Sequence, residues 1–202
     1  MSQEKYIIEK IIGKYKDIVA LYPYGSRVYN TNDFKSDYDY ILILNGCEDS
    51  AEHNNSSSDI TIYSIESFQE QVSEHRIAAL ECLFLPQDKK IVENISWNFK
   101  LDKKVLRDSI SQKASHSWVK AKKKLEVEDE TRLAIKSMFH SFRIIDFGIQ
   151  IANHGKIINY ESSNDIYQEL MLLEKEDWNK IGGLFKERHN NLMSEFRKVC
   201  PK

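Results

Sequence analysis

Hydrophobic and polar positions along the chain fall into two textures, and the change comes near Gln87. Before it, short apolar runs alternate with turn chemistry. After it, apolar residues recur every three or four positions with almost no interruption. A period of two marks a half-buried strand, and a period near 3.6 marks an amphipathic helix. Residues 2–16 place Ile7, Ile8, Ile11, Ile12 and Tyr15 on one helical face, with Ser2 as N-cap. Residues 18–21 (Ile-Val-Ala-Leu) and 40–44 (Tyr-Ile-Leu-Ile-Leu) read as buried strands. Residues 59–63 alternate, with Ile60 and Ile62 facing one way and Asp59, Thr61 and Tyr63 the other. Asn45-Gly46 is a turn, and residues 47–58, acidic and rich in Asn and Ser, read as an exposed mobile loop. Residues 64–75 read as a helix carrying Ile65, Phe68 and Val72, and residues 78–86 as a short buried element closing the first half.

The second half predicts helices throughout. A lysine-rich one covers residues 103–125. A stronger one covers 130–153 and ends at His154-Gly155, with glycine in a natural C′ position. Ser162-x-x-Asp165 resembles a helix start before Ile166, Leu170 and Leu173. The last helix, residues 176–198, repeats Trp178, Ile181, Phe185, Leu192, Phe196 and Val199 on one face. Its Gly182-Gly183 pair costs about 1 kcal/mol per glycine relative to alanine, which implies close helix packing there. A sheet with flanking helices followed by a helical region is an α+β architecture.

Composition narrows the function classes. The chain has 202 residues, 41% of them apolar and 30% charged, with a formal net charge of −2. That balance gives no global argument for nucleic-acid binding, which ordinarily shows a basic excess. Cys47, Cys82 and Cys200 are odd in number and lack ligand spacing, so they read as reduced thiols rather than a zinc site. The N-terminus has no signal-peptide pattern, and no stretch approaches the roughly 20 apolar residues of a bilayer span. A soluble, cytoplasmic protein is expected.

The chemistry concentrates in residues 22–39. A strand leads into Tyr24-Gly25-Ser26-Arg27, and Ser36-Asp37-Tyr38-Asp39 leads into the next strand. The alternation of a strand puts Asp37 and Asp39 on one side. Two carboxylates on one sheet face repel each other unless a cation neutralises them. Beside them, Gly25 permits a turn whose backbone N–H groups converge on an anion, Ser26 adds a hydroxyl donor, and Arg27 offers a clamp for phosphate. The pattern points to a divalent-metal site next to a phosphate-binding turn.

Gly25-Ser26-Arg27 followed by Ser36-Asp37-Tyr38-Asp39 resembles the signature of polymerase-β-type nucleotidyltransferases. With Leu80-Glu81-Cys82-Leu83-Phe84 the chain is more narrowly similar to the RNA-repair-associated (RlaP-like) branch carried by bacteria and phages. Asn30 stands where that family often has glycine, a mild departure, since asparagine tolerates the left-handed region. The resemblance implies a palm-like mixed sheet with flanking helices in residues 1–95, then an α-helical bundle in residues 96–202 that covers the nucleotide. It also implies transfer of a nucleoside monophosphate from a nucleoside triphosphate to an acceptor hydroxyl, with release of pyrophosphate. Two Mg²⁺ ions would be held by Asp37, Asp39 and a third acid. Asp59 is assigned that place because a strand fixes its direction, while Glu48, Asp49 and Glu52 lie in the preceding loop. The acceptor could be an RNA 3′ end, a protein side chain or a small molecule such as an aminoglycoside. Two further readings remain beside this one: an antitoxin-like protein adenylyltransferase, and a catalytically silent nucleotide-binding module.

Other residues carry paired readings. Glu81 is either a helix-end acid paired with a nearby base or part of the site. Lys136, His140 and Arg143 share a helix face at i, i+4 and i+7. They could bind the nucleotide phosphates, or Lys136 and His140 could be solvated, with Arg143 the deepest of the three among apolar neighbours. Lys120, Lys122, Lys123 and Lys124 form a basic run that is either a solvated face or a guide for a polynucleotide. Trp118 reads as a packing residue. The histidines show no metal-ligand spacing.

Overall fold

The structure, a computed structural model, describes residues 2–34, 36–54, 58–173 and 177–201. The expected start of the last helix at residue 176 lies outside the described residues. The chain divides into two compact units, Met1–Ser73 with Ala78–Lys100, and Glu74–Ile77 with Leu101–Lys202.

The first unit carries α1 (Gln3–Lys14), β1 (Ile18–Tyr24), β2 (Tyr38–Leu44), β3 (Ser50–Asn54), β4 (Ser58–Ser64), α2 (Ile65–Ser73), most of α3 (Ile77–Leu83) and β5 (Val92–Glu93). Ser2 caps α1 as expected, its hydroxyl accepting from the Lys5 amide at 3.2 Å. The five strands form one mixed sheet in the order β3-β4-β2-β1-β5, in which β2 and β4 run parallel and the other pairs antiparallel. With the helices on its faces and the helical region that follows, this is the α+β architecture read from the pattern.

Strand alternation divides the work of the two faces. Leu21, Tyr40, Leu42, Leu44, Ile60 and Ile62 point one way and pack on Ile7 and Ile11 of α1. Ile12, expected on that stripe, is 47% exposed. The other face carries Tyr22, Ile41, Thr61 and Tyr63, and α2 covers it through Phe68, whose ring stands 6.1 Å from Tyr22 and 6.0 Å from Tyr63. Pro23 lies within β1 but beyond the two residues that β5 pairs, so its missing N–H removes no ladder bond on that side.

Two strands escaped the pattern. The stretch expected as a loop at residues 47–58 contains β3, and β5 lies in the half read as helical. Both are edge strands, held by main-chain pairing on one side, so neither needs an apolar alternation. β5 is also anchored by a polar chain. Trp97 donates to the Tyr22 hydroxyl at 2.8 Å, Tyr22 donates to Glu93 at 2.7 Å, and Lys90 donates to Glu93 at 2.8 and 3.0 Å. Burial raises the Tyr22 hydroxyl far above its ordinary range, which keeps it a donor.

The second unit holds α4 (Lys103–Glu126), α5 (Thr131–His154), α6 (Asn164–Met171) and α7 (Trp178–Val199). Asp102 and Asp177 cap α4 and α7 through their carboxylates, and Gly155, at φ 72°, ends α5. The cap of α6 is Ser163 rather than Ser162. The Ser162 hydroxyl instead donates to Asp146, and Gln150 joins them by donating to Asp146 at 2.9 Å and accepting from the Ile158 and Asn159 amides at 2.9 Å. Residues 74–77 belong here because His75 accepts from the Asp102 amide at 2.9 Å.

Phe139, Phe142, Ile166, Leu170, Ile181 and Phe185 form the helical core. Gly148 marks a close helix contact: a Cβ there would stand 2.9 Å from side-chain atoms of both Ile110 and Phe196. Gly182, by contrast, makes room for the indole of Trp178 in its own helix, and Gly183 meets nothing within 4 Å, so the expected close helix packing is not at that pair. No helix among the described residues is long and apolar enough to cross a membrane.

Nothing in the local pattern singles out His189, yet it sits 7% exposed in this core. Its Nε2 is 2.8 Å from the Ser141 hydroxyl, which donates to the Ala114 carbonyl at 2.7 Å, and its ring lies 4.3 Å from that of Trp118. Burial lowers its pKa to about 4. His140 is lowered well below the ordinary value too, chiefly by burial and then by neighbouring cations. A histidine that is neutral when folded and protonates more readily when unfolded contributes stability that is full above about pH 6.5 and is lost as pH falls toward the folded pKa, at about 1.4 kcal/mol per pKa unit. Denaturant midpoints should therefore fall between about pH 6.5 and about pH 4, and His189→Gln should remove that residue's share of the slope. A midpoint independent of pH in this window would contradict the burial of both rings.

Candidate functional site

The site is built at one end of the sheet face that α2 covers. β1 ends at Tyr24, opposite Asp39 of β2 in the antiparallel register, and the chain then makes a single 3₁₀ turn over Gly25–Arg27. Gly25 has φ 78°, and a Cβ built on it would stand 2.0 Å from the Asp39 carboxylate oxygen and 2.8 Å from its carboxyl carbon. The carboxylate thus lies directly on the glycine backbone. Any larger residue would need both a left-handed conformation and the space that the carboxylate occupies.

On its other side Asp39 is in register with Asp59 of the parallel strand β4. Residues opposed in this way share a sheet face on strands about 4.8 Å apart. Both acids are half-buried, in contrast to exposed Asp37. Asp37 precedes the first residue of β2, so strand alternation does not fix it. Arg27 does. Its guanidinium donates to the Ser36 carbonyl at 2.7 Å and the Asp37 carbonyl at 3.2 Å, and lies 3.6 Å from the centre of the Tyr38 ring. Arg27, expected as a phosphate clamp, is seen here bracing the segment that carries the acids.

The turn is braced from below as well. The Gly25 and Ser26 carbonyls accept from the Val28 and Thr31 amides at 3.0 and 2.9 Å, and Asn30 takes the left-handed conformation at φ 56°. The Tyr29 hydroxyl donates to Glu81, and the two are 4% and 2% exposed. Glu81 is therefore a buried acid held to a tyrosine next to the turn, where the sequence suggested a helix-end acid paired with a base. Only the tertiary fold brings positions 29 and 81 together.

The rival acids have other work. Asp49 accepts from the Ser64 amide at 3.0 Å and from the Ser67 hydroxyl, bracing the start of α2, where the Ser64 hydroxyl accepts from the Ser67 amide at 3.0 Å. Glu52 lies 2.5 Å from Lys14, which holds its carboxyl below the usual range. Glu48 is exposed on the connection before β3.

Among the described residues no three His, Cys, Asp or Glu side chains stand together as a ready-made metal cage. Magnesium does not ordinarily need one: one or two carboxylates hold it, with substrate phosphates and water completing the shell. The carboxylates of Asp39 and Asp59 are hard oxygen donors of the kind that suit such an ion.

In the helical unit, Arg143 is 2% exposed with its Nη2 2.6 Å from His140 Nδ1, and Lys136 is half-buried one turn before. The basic run of α4 is largely neutralised: Lys122 lies 3.7 Å from Glu126, Lys123 3.5 Å from Glu128, and Lys124 2.5 Å from Glu128 and 2.7 Å from Glu130. Trp118 packs edge-on against Phe142 and Trp178, with centroids 6.1 and 5.5 Å away.

No protein-family model matches the sequence, and no curated protein matches it. Among solved structures, 98% of the chain aligns with 99% of spectinomycin adenyltransferase from Enterococcus faecialis, solved with ATP and spectinomycin, at 12% identity and a TM-score of 0.47. A nucleotidyltransferase-like protein from Exiguobacterium sibiricum aligns over 98% of this chain and 73% of its own, at 11% identity and a TM-score of 0.35. Likenesses at these scores bear on neither substrate nor residue roles.

The contact between Gly25 and Asp39 yields a double-mutant cycle. Gly25→Ala should destabilise by more than Gly46→Ala, which meets open space at φ 67° and carries only the left-handed strain of about 1–2 kcal/mol. Part of the excess should vanish in an Asp39→Ala background, a coupling of about 0.5–3 kcal/mol for groups in contact. Additive effects in denaturant titrations would show that the carboxylate does not lie on the glycine.

Proposed function

We propose that the protein is a magnesium-dependent nucleotidyltransferase that moves a nucleoside monophosphate from a nucleoside triphosphate to an acceptor hydroxyl. The observation that carries this reading is the packing of the Asp39 carboxylate on the Gly25 turn, in register with Asp59. It sets an acidic pair beside a turn whose backbone can approach phosphate closely.

Each residue then has a defined task. Asp39 and Asp59, with Asp37 at the rim, would hold magnesium, which would supply charge neutralisation at the reacting phosphate. Gly25 and Ser26 offer backbone amides and a hydroxyl to the β- and γ-phosphates. The acceptor oxygen forms a bond to the α-phosphorus, the bond to the pyrophosphate oxygen breaks, and the hydroxyl proton is lost to the carboxylate side of the site or to water. Arg27 and the Tyr29–Glu81 pair keep the turn and the acid-bearing segment in place without touching the reacting atoms.

The test is a screen with each of the four α-labelled nucleoside triphosphates and magnesium against total RNA, cell lysate, aminoglycosides and the protein itself. Label should enter one acceptor class with release of pyrophosphate. Asp39→Asn and Asp59→Asn should lower transfer by about a hundredfold or more, since each removes charge stabilisation at the reacting phosphate. Asp49→Asn should retain transfer, since Asp49 bonds only Ser64 and Ser67 at the start of α2. Absence of transfer to every acceptor would favour a silent nucleotide-binding module. Transfer that survives Asp39→Asn would remove the acidic pair from the reaction.

A further inference from the structure

Phe34 is 92% exposed, and among the described residues no other large apolar side chain is as exposed. A lone apolar residue on a surface is ordinary, but this one is held out on a braced turn. The Ser36 amide donates to the Asp33 carbonyl at 3.1 Å, and the Asp33 amide donates to the Ser36 hydroxyl at 2.9 Å. That hydroxyl in turn donates to the Asp33 carboxylate at 3.1 Å, and Arg27 donates to the Ser36 carbonyl at 2.7 Å. On the side toward β1, the Thr31 amide and hydroxyl both donate to the Ser26 carbonyl, at 2.9 and 3.4 Å. Both ends of the segment that carries Phe34 are thus tied to the Gly25–Arg27 turn.

Covalent geometry keeps the ring near the acids. Phe34 is three positions from Thr31 and three from Asp37, and three residues of chain span at most about 11 Å. The composition around it narrows what can cover it. Thr31, Asn32, Asp33, Ser36 and Asp37 are all polar. A protein partner ordinarily takes a contiguous apolar patch of a few hundred Å², and one ring among polar residues does not make such a patch. A single planar group is enough to cover one face of a phenyl ring. Phenylalanine has no hydrogen-bonding atom in its side chain, so it holds such a group by stacking.

We propose that Phe34 stacks on a nucleobase at the edge of the site formed by Gly25, Asp39 and Asp59. The base belongs either to the nucleoside triphosphate or to a single-stranded polynucleotide acceptor. In both, one sugar joins the base to its phosphate, so a phosphate at the turn brings its base to the surrounding rim. This deepens the nucleotidyl-transfer reading and rests on it for the choice of ligand. Phe34 touches substrate without taking part in bond making or breaking. Stacking that involves no hydrogen bond tolerates every base, so the ring contributes to affinity and not to the choice among bases.

The experiment is calorimetry on the full chain with three ligands in the presence of magnesium. They are an ATP analogue with a methylene group between the α- and β-phosphorus atoms, which prevents transfer, a short single-stranded oligoadenylate, and inorganic tripolyphosphate. Phe34→Ala should weaken at least one of the two base-bearing ligands by about tenfold, and the ligand that is weakened identifies the source of the base. Tripolyphosphate affinity and the melting temperature should stay at wild-type values, because the ring is exposed and the control carries no base. Phe34→Trp should bind at least as well as wild type, and the fluorescence of its added indole should be quenched by the same ligand and not by tripolyphosphate. Unchanged affinity for both base-bearing ligands in Phe34→Ala, an equal loss for tripolyphosphate, or no binding of either base-bearing ligand to the wild type would overturn the proposal. Labelled transfer together with an unchanged Phe34→Ala affinity rejects the stacking role alone. Binding that depends on Phe34 without transfer to any acceptor rejects the transfer reading alone.

Discussion

A carboxylate resting on a glycine backbone is the constraint from which the candidate site follows. Asp39 occupies the volume that a side chain at position 25 would fill, so the turn after β1 closes only because residue 25 lacks a Cβ and can take φ 78°. The same carboxylate belongs to a strand whose alternation sends Tyr40, Leu42 and Leu44 into the α1 face and Ile41 toward α2. Its direction is therefore set by core packing on both sides of the sheet. Slipping β2 by one residue would turn Asp39 into the apolar layer under α1, where an unpaired carboxylate is costly to bury.

Around this contact, the supporting interactions act on backbone more than on side chains. Arg27 grips two carbonyls of the segment before β2, and Tyr29 ties the end of the turn to a buried acid. A turn braced in this way has its amides fixed before any ligand arrives, which the proposed phosphate contact needs, because ordering them on binding would weaken it. The helical unit uses a different device. Its buried polar groups, His189, Ser141, Gln150 and Arg143, all have hydrogen-bonding partners, which fixes one register among helices whose apolar faces alone would tolerate several.

Much of this was legible in the pattern of residues. The apolar runs of β1, β2 and β4, the stripe of α1 and the long helices α4, α5 and α7 all bury apolar surface, and burial leaves a period that can be read. The edge strands β3 and β5 leave none, since main-chain pairing on one side asks nothing of the side chains. The acids at 37, 39 and 59 and the Gly-Ser turn were visible because they interrupt apolar runs. What each rival acid does was not visible: Asp49 as a brace for Ser64 and Ser67 at the start of α2 and Glu52 as a partner of Lys14 depend on neighbours distant in sequence.

The sequence by itself determined the buried strands and the long helices, the two-part texture of the chain and the stretch where chemistry gathers, because each is a local matter of periodicity and turn residues. The tertiary structure alone decided that Asp39 lies on Gly25 and beside Asp59, that Glu81 braces Tyr29, and that His189 is a core residue rather than one more surface histidine. Those facts are contacts between distant positions, set by strand register and helix packing, and no local pattern encodes them.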